Sequence, residues 1–300
     1  DFQAVHHDLW DYDIAAQPGP FEQKAASDSV PGVLLGTKTG HIFLLHAETG
    51  EPLFPIEERP VPQTNAPGEW TSPTPPFPTK PLPLMPDLKR SDVWGLLSFL
   101  DKKACLEQFD ALRYEGIFTP PSLKGSLQYP GFIGGVNWGG VSVNPQNNVA
   151  VISFHRFPFA LKLEARQAGE FYPYPQHGTP YAMQSTLFGS SFGAPCIKPP
   201  WSYLAAIDLN TGEKLWQQSF GTLKNLAPFG QLFQWGGMAL GGNLQSAGGL
   251  SFIGATLDAN FRAFDTSTGE QLWETDVPFA AHAMPMTYRS RKDSKQFVVI

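Results

Sequence analysis

Apolar positions in this chain come mostly in short runs with a period of two. Val141-Ser142-Val143, Val149-Ala150-Val151-Ile152-Ser153-Phe154 and Leu250-Ser251-Phe252-Ile253-Gly254-Ala255 are alternating or β-rich runs closed by turn residues, which is how strands read. Punctuation by 29 Gly and 29 Pro leaves helix as a minority element. An all-β chain is predicted.

The runs are organised by a repeat. Ala206-Ile207-Asp208-Leu209-Asn210-Thr211-Gly212-Glu213-Lys214-Leu215-Trp216 returns as Ala263-Phe264-Asp265-Thr266-Ser267-Thr268-Gly269-Glu270-Gln271-Leu272-Trp273, and a degraded copy runs from Leu45 to Phe54. Each copy predicts strand, tight turn, strand: Asp or Asn bonds its own backbone in the turn, Gly supplies the positive φ, and the closing aromatic can wedge between sheets. The last two copies lie 57 positions apart, about one four-stranded propeller blade plus a modest loop. A β-sandwich is the plainer alternative, but it leaves the recurring Thr-Gly-Glu-x-Leu-Trp ending unexplained.

Two segments break the rhythm. From Pro60 to Pro86 the chain is dense in proline and is predicted to be extended. Ser91-Asp92 then reads as the cap of an amphipathic helix, with Trp94, Leu97, Leu100, Ala104 and Phe109 near helical spacing. Together residues 60–112 read as an insertion forming a lid or rim, anchored by Trp70, Phe77 and Trp94. Residues 164–177 read as a second loop with fewer anchors.

Composition narrows the class. A net charge of −6 without a basic stripe argues against nucleic acid as a partner. No run of about 18 apolar residues is present, and no charged-then-apolar leader. The chain opens on Asp1 and stops at Gln296-Phe297-Val298-Val299-Ile300, which reads as the middle of a buried strand, so a piece of a longer protein is expected. Cys105 and Cys196 fit neither a zinc nor a CxxC spacing; one disulfide and two buried thiols are both open.

The candidate chemistry lies near the start. His6-His7-Asp8-Leu9-Trp10-Asp11-Tyr12-Asp13 places three carboxylates, two imidazoles and two aromatic rings in eight positions of a chain that is only 16% charged. If extended, the segment turns Leu9, Asp11 and Asp13 to one face. A carboxylate there could take a proton from an alcohol or bind a hard divalent cation, and it could equally be a turn or cap carboxylate. Lys38 follows 27 positions after Asp11 in the glycine-flanked turn Gly36-Thr37-Lys38-Thr39-Gly40, where an ammonium could meet a ligand carbonyl or simply be solvated. Asn137-Trp138-Gly139-Gly140 offers an amide, a flat ring and close backbone approach, as a planar cofactor or a core Trp would need. Trp235-Gly236-Gly237, Gly241-Gly242-Asn243 and Asp258 invite the same two readings. His155, His177 and His282 lack metal-ligand spacing and read as structural. No serine elbow, Walker loop or dinucleotide fingerprint appears.

These residues resemble the pyrroloquinoline quinone (PQQ) dehydrogenases, and within them the membrane-bound glucose/quinate/shikimate dehydrogenase group. The likeness is carried by His7 to Asp13 and Gly36 to Gly40, by Arg59 to Gln63, Leu112 to Ser122, Asn137 to Gly140 and Gly193 to Cys196, and on through Pro199-Pro200-Trp201, Ala247 to Leu250 and Pro285 to Tyr288. The resemblance implies an eight-bladed β-propeller with tryptophan-docking blade motifs, of which roughly the C-terminal half is present. It implies PQQ and a divalent cation, calcium or magnesium, as cofactors. It makes Asp11 the general base beside the metal and Lys38 the donor to the quinone carbonyls, with Asn137, Trp138 and Asp258 in the cofactor pocket. It further implies a sugar or cyclic polyol substrate (glucose, quinate or shikimate), ubiquinone as electron acceptor, and a place on the periplasmic face of the bacterial inner membrane through an N-terminal region. At Ala280 to Tyr288 the chain departs from the group's usual Gly-Gly-Gln-Ala-Thr-Pro-Met-Thr-Tyr. The competing class is a non-catalytic propeller scaffold, which would need neither Asp11 nor Lys38.

Overall fold

The computed structural model describes residues 1–24, 29–97, 100–167 and 169–300. The first sheet runs β1 (Gly19–Lys24), β2 (Ser29–Gly36), β3 (Ile42–His46), all antiparallel, with a bridge from Leu45 to Pro52 marking a further edge. The proline-rich excursion then pairs β4 (Ile56–Glu58) with β5 (Pro76–Pro78) and leads to α1 (Lys102–Ala111) and β6 (Ser126–Gln128). A second sheet begins with β7 (Val141–Asn144) and β8 (Val149–His155). The chain leaves it for the hairpin β9 (Phe159–Ala165) and β10 (Tyr181–Leu187), and returns as β11 (Ser202–Asp208) and β12 (Glu213–Ser219). The excursion hairpin recruits β6 to make a separate sheet of order β10-β9-β6. The third sheet is β13 (Asn243–Gln245), β14 (Leu250–Ile253), β15 (Asn260–Asp265) and β16 (Gln271–Asp276), followed by the hairpin β17 (Met286–Arg289) and β18 (Gln296–Val299).

The sheets stack face to face because their strands are apolar on both sides. In β8, Ala150, Ile152 and Phe154 pack toward the first sheet against Leu34, Ile42 and Leu44. The alternate residues Val149 and Val151 pack toward the third sheet against Ile253, Ala255 and Phe264. Each of the larger side chains among them, Val, Leu, Ile and Phe, contributes roughly 1.5–3 kcal/mol by leaving water. The innermost strands touch in series, β1 with β7 and β7 with β13.

The repeated turn is what joins one sheet to the next. Asp208 and Asp265 accept main-chain N–H bonds from the residues two and three positions on, and Gly212 and Gly269 take φ of +69° and +79°. The indole N–H of Trp216 donates to the Thr266 carbonyl of the following sheet at 2.9 Å. Its ring lies where a Cβ on Gly269 would sit, 2.7 Å away. Phe54 of the first sheet meets Gly212 of the second in the same way, more loosely at 3.4 Å. Trp273, the next in the series, is 49% exposed.

Three sequence expectations change. The helix starts at Lys102, not near Ser91: Asp101 turns its carboxylate back to accept the N–H groups of Leu96 and Leu97 at 2.9 and 3.1 Å, which reverses the chain before the helix begins. Trp94 leaves the helix altogether and packs edge-on to Trp201 and Trp235. Only Arg90–Asp92 forms a short 3-10 turn, and residues 98–99 of the expected helix lie outside the described residues. The strand at Gln296 to Val299 is present, but it is not buried. Among the described residues it pairs only with β17, leaving Phe297 and Val299 41% and 43% exposed, since period-two alternation reports a face to be covered without supplying the cover. The open choice for the cysteines closes on a disulfide, Cys105 to Cys196, which ties α1 to the chain before β11.

Candidate active site

Trp10 and Tyr12 are anchors. Trp10 donates its indole N–H to the Thr119 carbonyl at 2.7 Å, Tyr12 donates its hydroxyl to the Pro130 carbonyl at 2.7 Å, and both rings pack on Phe118. With these two buried, the intervening and following residues, Asp11 and Asp13, are turned outward, as period-two alternation requires. The segment is not a simple strand, because Asp11 holds φ +62°, a left-handed conformation that non-glycine residues seldom adopt. Such backbone persists where the surroundings over-determine it, and here buried residues flank it on either side.

Lys38 reaches the same place from the turn between β2 and β3. Thr37 and Thr39 bond each other through their hydroxyls at 2.6 Å, and the Gly40 N–H closes the turn on the Thr37 carbonyl at 2.9 Å. The lysine stem lies against Gly134, where a Cβ would come 2.5 Å from Lys38 Cγ, so only glycine fits that wall. The Gly135 N–H donates to the Lys38 carbonyl at 2.6 Å. The stem is thus buried while Nζ emerges between two carboxylates, 3.1 Å from Asp11 Oδ2 and 2.5 Å from Asp13 Oδ1.

The two carboxylates respond differently. Burial raises the Asp11 carboxyl above its usual value, and Lys38 offsets this only in part. For Asp13 burial also pulls upward, but the hydrogen bond and charge of Lys38 win and hold it below the usual carboxylate value. Lys38 is pulled down by burial and raised by both aspartates, with a net rise that keeps it cationic. Asp13 therefore holds the ammonium, and Asp11 is the better proton acceptor.

Beside Asp11 a cleft of about 630 Å³ opens between the Asp8-to-Asp11 segment and the β9–β10 hairpin. Asn137 and Trp138 lie a few residues past the Lys38 contact at Gly134. The Asn137 amide is spent within its own turn, donating to the Ile133 carbonyl at 2.6 Å and accepting the Trp138 N–H at 2.7 Å, while the Trp138 indole is half exposed. Asp258 lies in another environment: its oxygens are taken by Thr222 N–H (2.8 Å), the Thr256 hydroxyl (2.6 Å) and the Arg262 guanidinium (2.5 Å). Burial would raise its pKa, but Arg262 and these donors outweigh it and lower it. Among the described residues no group of three or more His, Cys, Asp or Glu side chains could hold a metal ion. His155 is sealed in the core with both ring nitrogens unpartnered, and burial pushes its pKa down to about 4.

The residue that sequence reasoning undervalued is Asp13, which was signalled by its alternation with Asp11 and by its place in the motif that carries the family resemblance. Gln128, on β6 at the cleft floor, gave no signal at all, since a glutamine in a short buried strand matches no motif.

A family model described as "PQQ: Glucose/ethanol/alcohol dehydrogenase, beta-propeller domain" matches residues 1–298. The chain belongs to this family. It is 40% identical to the quinoprotein glucose dehydrogenase of Escherichia coli K12, over 100% of this chain and 39% of that protein. It is 38% identical to a probable quinate dehydrogenase (quinone) of Xanthomonas campestris pv. juglandis, over 100% of this chain and 40% of that one. The chain spans about two-fifths of the length of these relatives. The fold matches the quinohemoprotein alcohol dehydrogenase structure from Comamonas testosteroni with a TM-score of 0.60 at 22% identity, covering 99% of this chain and 35% of that one. The stacked, tryptophan-docked sheets are the blades of this PQQ family's β-propeller. Among the described residues no helix is long and apolar enough to cross a membrane.

Proposed function

We propose that this chain carries the proton-accepting side of a PQQ-dependent dehydrogenase that oxidises a sugar or cyclic polyol and passes the electrons to ubiquinone at the periplasmic face of a bacterial inner membrane. The observation that carries the reading is the meeting of Lys38, at 3.1 Å, with Asp11, a lining residue of the cleft, from segments 27 positions apart. A structural ion pair would not need a left-handed Asp11 or an elevated carboxyl pKa. The Cys105–Cys196 disulfide supports an oxidising compartment. Residues 1–300 would form one part of the propeller domain, with 60–112 an insertion that borders the cleft through Gly68 and Glu69.

The residues present fit a planar, anionic quinone. Lys38 offers a charge on a stem locked by Gly134, and Trp138 offers a flat, half-exposed ring nearby. Asn137 would hold that ring's turn in shape, and Asp258 would brace the neighbouring blade through Arg262. When bound, PQQ supplies a carbonyl carbon able to accept a hydride from an alcohol. Asp11 takes the alcohol's hydroxyl proton on a carboxylate oxygen, Lys38 donates hydrogen bonds to developing negative charge, and Asp13 keeps Lys38 charged and in place. Asp11 would also be one ligand of calcium or magnesium, with the remaining ligands coming from elsewhere, since among the described residues no cluster of three such side chains surrounds it.

The test is dye reduction by the full-length protein reconstituted with PQQ and calcium or magnesium, using glucose, quinate and shikimate in parallel. Asp11→Asn is expected to lower kcat by about 10²–10⁴-fold, the usual worth of a general base. Unchanged turnover in that variant would remove Asp11 from the role of base, and no turnover on any of these alcohols in the parent would place the protein among non-catalytic propellers.

A further inference from the structure

The cleft beside Asp11 has a chemical bias that bears on which alcohol enters it. Its side-chain oxygens are mainly acceptors: the carboxylates of Asp8, Asp11 and Glu69, and the amide of Gln128. Gln128 is the most telling. It is 2% exposed and its Nε2 is spent on the Trp10 carbonyl, yet its Oε1 has no partner. A sealed acceptor without a donor costs about 1–3 kcal/mol unless a ligand supplies one. Two of the three lining hydroxyls of this kind are already used, Thr179 on the Gln176 and Tyr181 carbonyls and Tyr181 on the Pro67 carbonyl, which leaves Tyr174 as a side-chain donor beside the carboxylates. The rest of the wall is apolar and aromatic, with Phe132 and Tyr174 meeting edge-on. Such a surface suits the C–H face of a saturated ring.

Among the described residues no lysine or arginine lines the cleft. Two cations by the cleft are already paired: Lys38 with Asp13 and, at the cleft edge, with Asp11, and Arg166 with the Gln176 and Thr179 carbonyls and His177. His7 faces Glu69 from outside, stacked on Trp70. An acceptor-lined, acid-rimmed cleft favours a ligand rich in hydroxyl donors and repels one that brings a carboxylate.

We propose that this cleft is the substrate site and that it selects uncharged ring polyols and sugars over their carboxylated counterparts, with Gln128 Oε1 accepting one substrate hydroxyl and Glu69 and Asp8 supplying the repulsion. The proposal rests on the dehydrogenase reading above and narrows its substrate. Among the substrates weighed, it favours the glucose type over the quinate and shikimate type.

The test uses charge-matched pairs on the full-length, PQQ- and calcium-loaded protein: quinate against methyl quinate, and glucuronate against glucose. The neutral member is expected to win by roughly 100-fold in kcat/KM. Glu69→Gln and Asp8→Asn should each narrow that gap by roughly tenfold, whereas Glu48→Gln, on an exposed turn of the first blade, should leave it alone. Calorimetric Kd values for the same pairs, without electron acceptor, separate the two proposals. A gap in Kd without any turnover overturns the dehydrogenase reading and supports this one. Turnover with an equal or preferred carboxylate, a gap unmoved by both variants, or no binding of either member overturns this one alone.

Discussion

Asp11 and Asp258 both face a cation, and their surroundings make them opposites. The Asp258 side chain is fully buried, its oxygens saturated by Arg262, Thr222 and Thr256. The Asp11 side chain is 61% exposed, shares its lysine with Asp13 and keeps an elevated pKa. A buried carboxylate with every lone pair occupied holds two segments of a blade together and has nothing left for a ligand. A half-exposed carboxylate with one shared cation contributes little to folding and can exchange a proton. The presence of an ion pair does not distinguish the two roles. What remains unsatisfied around the pair does.

The largest effect that would sharpen this contrast is Asp258→Ala, which takes from the buried Arg262 one of its two carboxylate partners, leaving it only Glu274, and should lower unfolding stability by about 3 kcal/mol in urea titration. A loss below about 1 kcal/mol would move Asp258 out of the structural role. Next comes His155, sealed and partnerless. Its pKa is about 4 in the folded state against an ordinary value of 6.5, so the unfolded chain binds the proton first. Stability is full above pH 6.5 and falls as the pH drops toward 4, by up to roughly 3 kcal/mol. His155→Phe should remove its share of that acid limb and leave the share of His41, whose pKa burial also lowers to about 4; an unchanged limb would locate the acid sensitivity away from His155. Gly134→Ala should cost about 2 kcal/mol, because φ is +78° and the new methyl meets Lys38 Cγ. The same variant should also lower turnover by displacing the Lys38 stem, an effect that a glycine with only a structural role would not have. Smallest is Asp11→Asn on stability: less than about 1 kcal/mol in the same urea titration, against its large effect on turnover.

Much of the fold was legible because propeller blades repeat their signals. Asp208, Gly212 and Trp216 recur as Asp265, Gly269 and Trp273, and the spacing alone gave the blade period. The helix start was misread because Asp101 looks like any acidic residue in a helical window. Its carboxylate instead captures Leu96 and Leu97, and no local pattern records a bond made backwards along the chain. The exposed Phe297 and Val299 show the same limit: alternation states which face must be covered and is silent on what covers it.

The sequence by itself determined the strands, the docking turns and the candidacy of Asp11 and Lys38, since each depends on residues close along the chain or on a repeated motif. Only the tertiary structure decided that Asp13 holds the lysine, that Asp258 is saturated, that Cys105 and Cys196 are joined, and that Gln128 faces a cleft with an empty acceptor. Those are properties of groups brought together from distant segments. Charge, solvation and hydrogen-bond satisfaction depend on which neighbours arrive, and the order of residues along the chain does not state that.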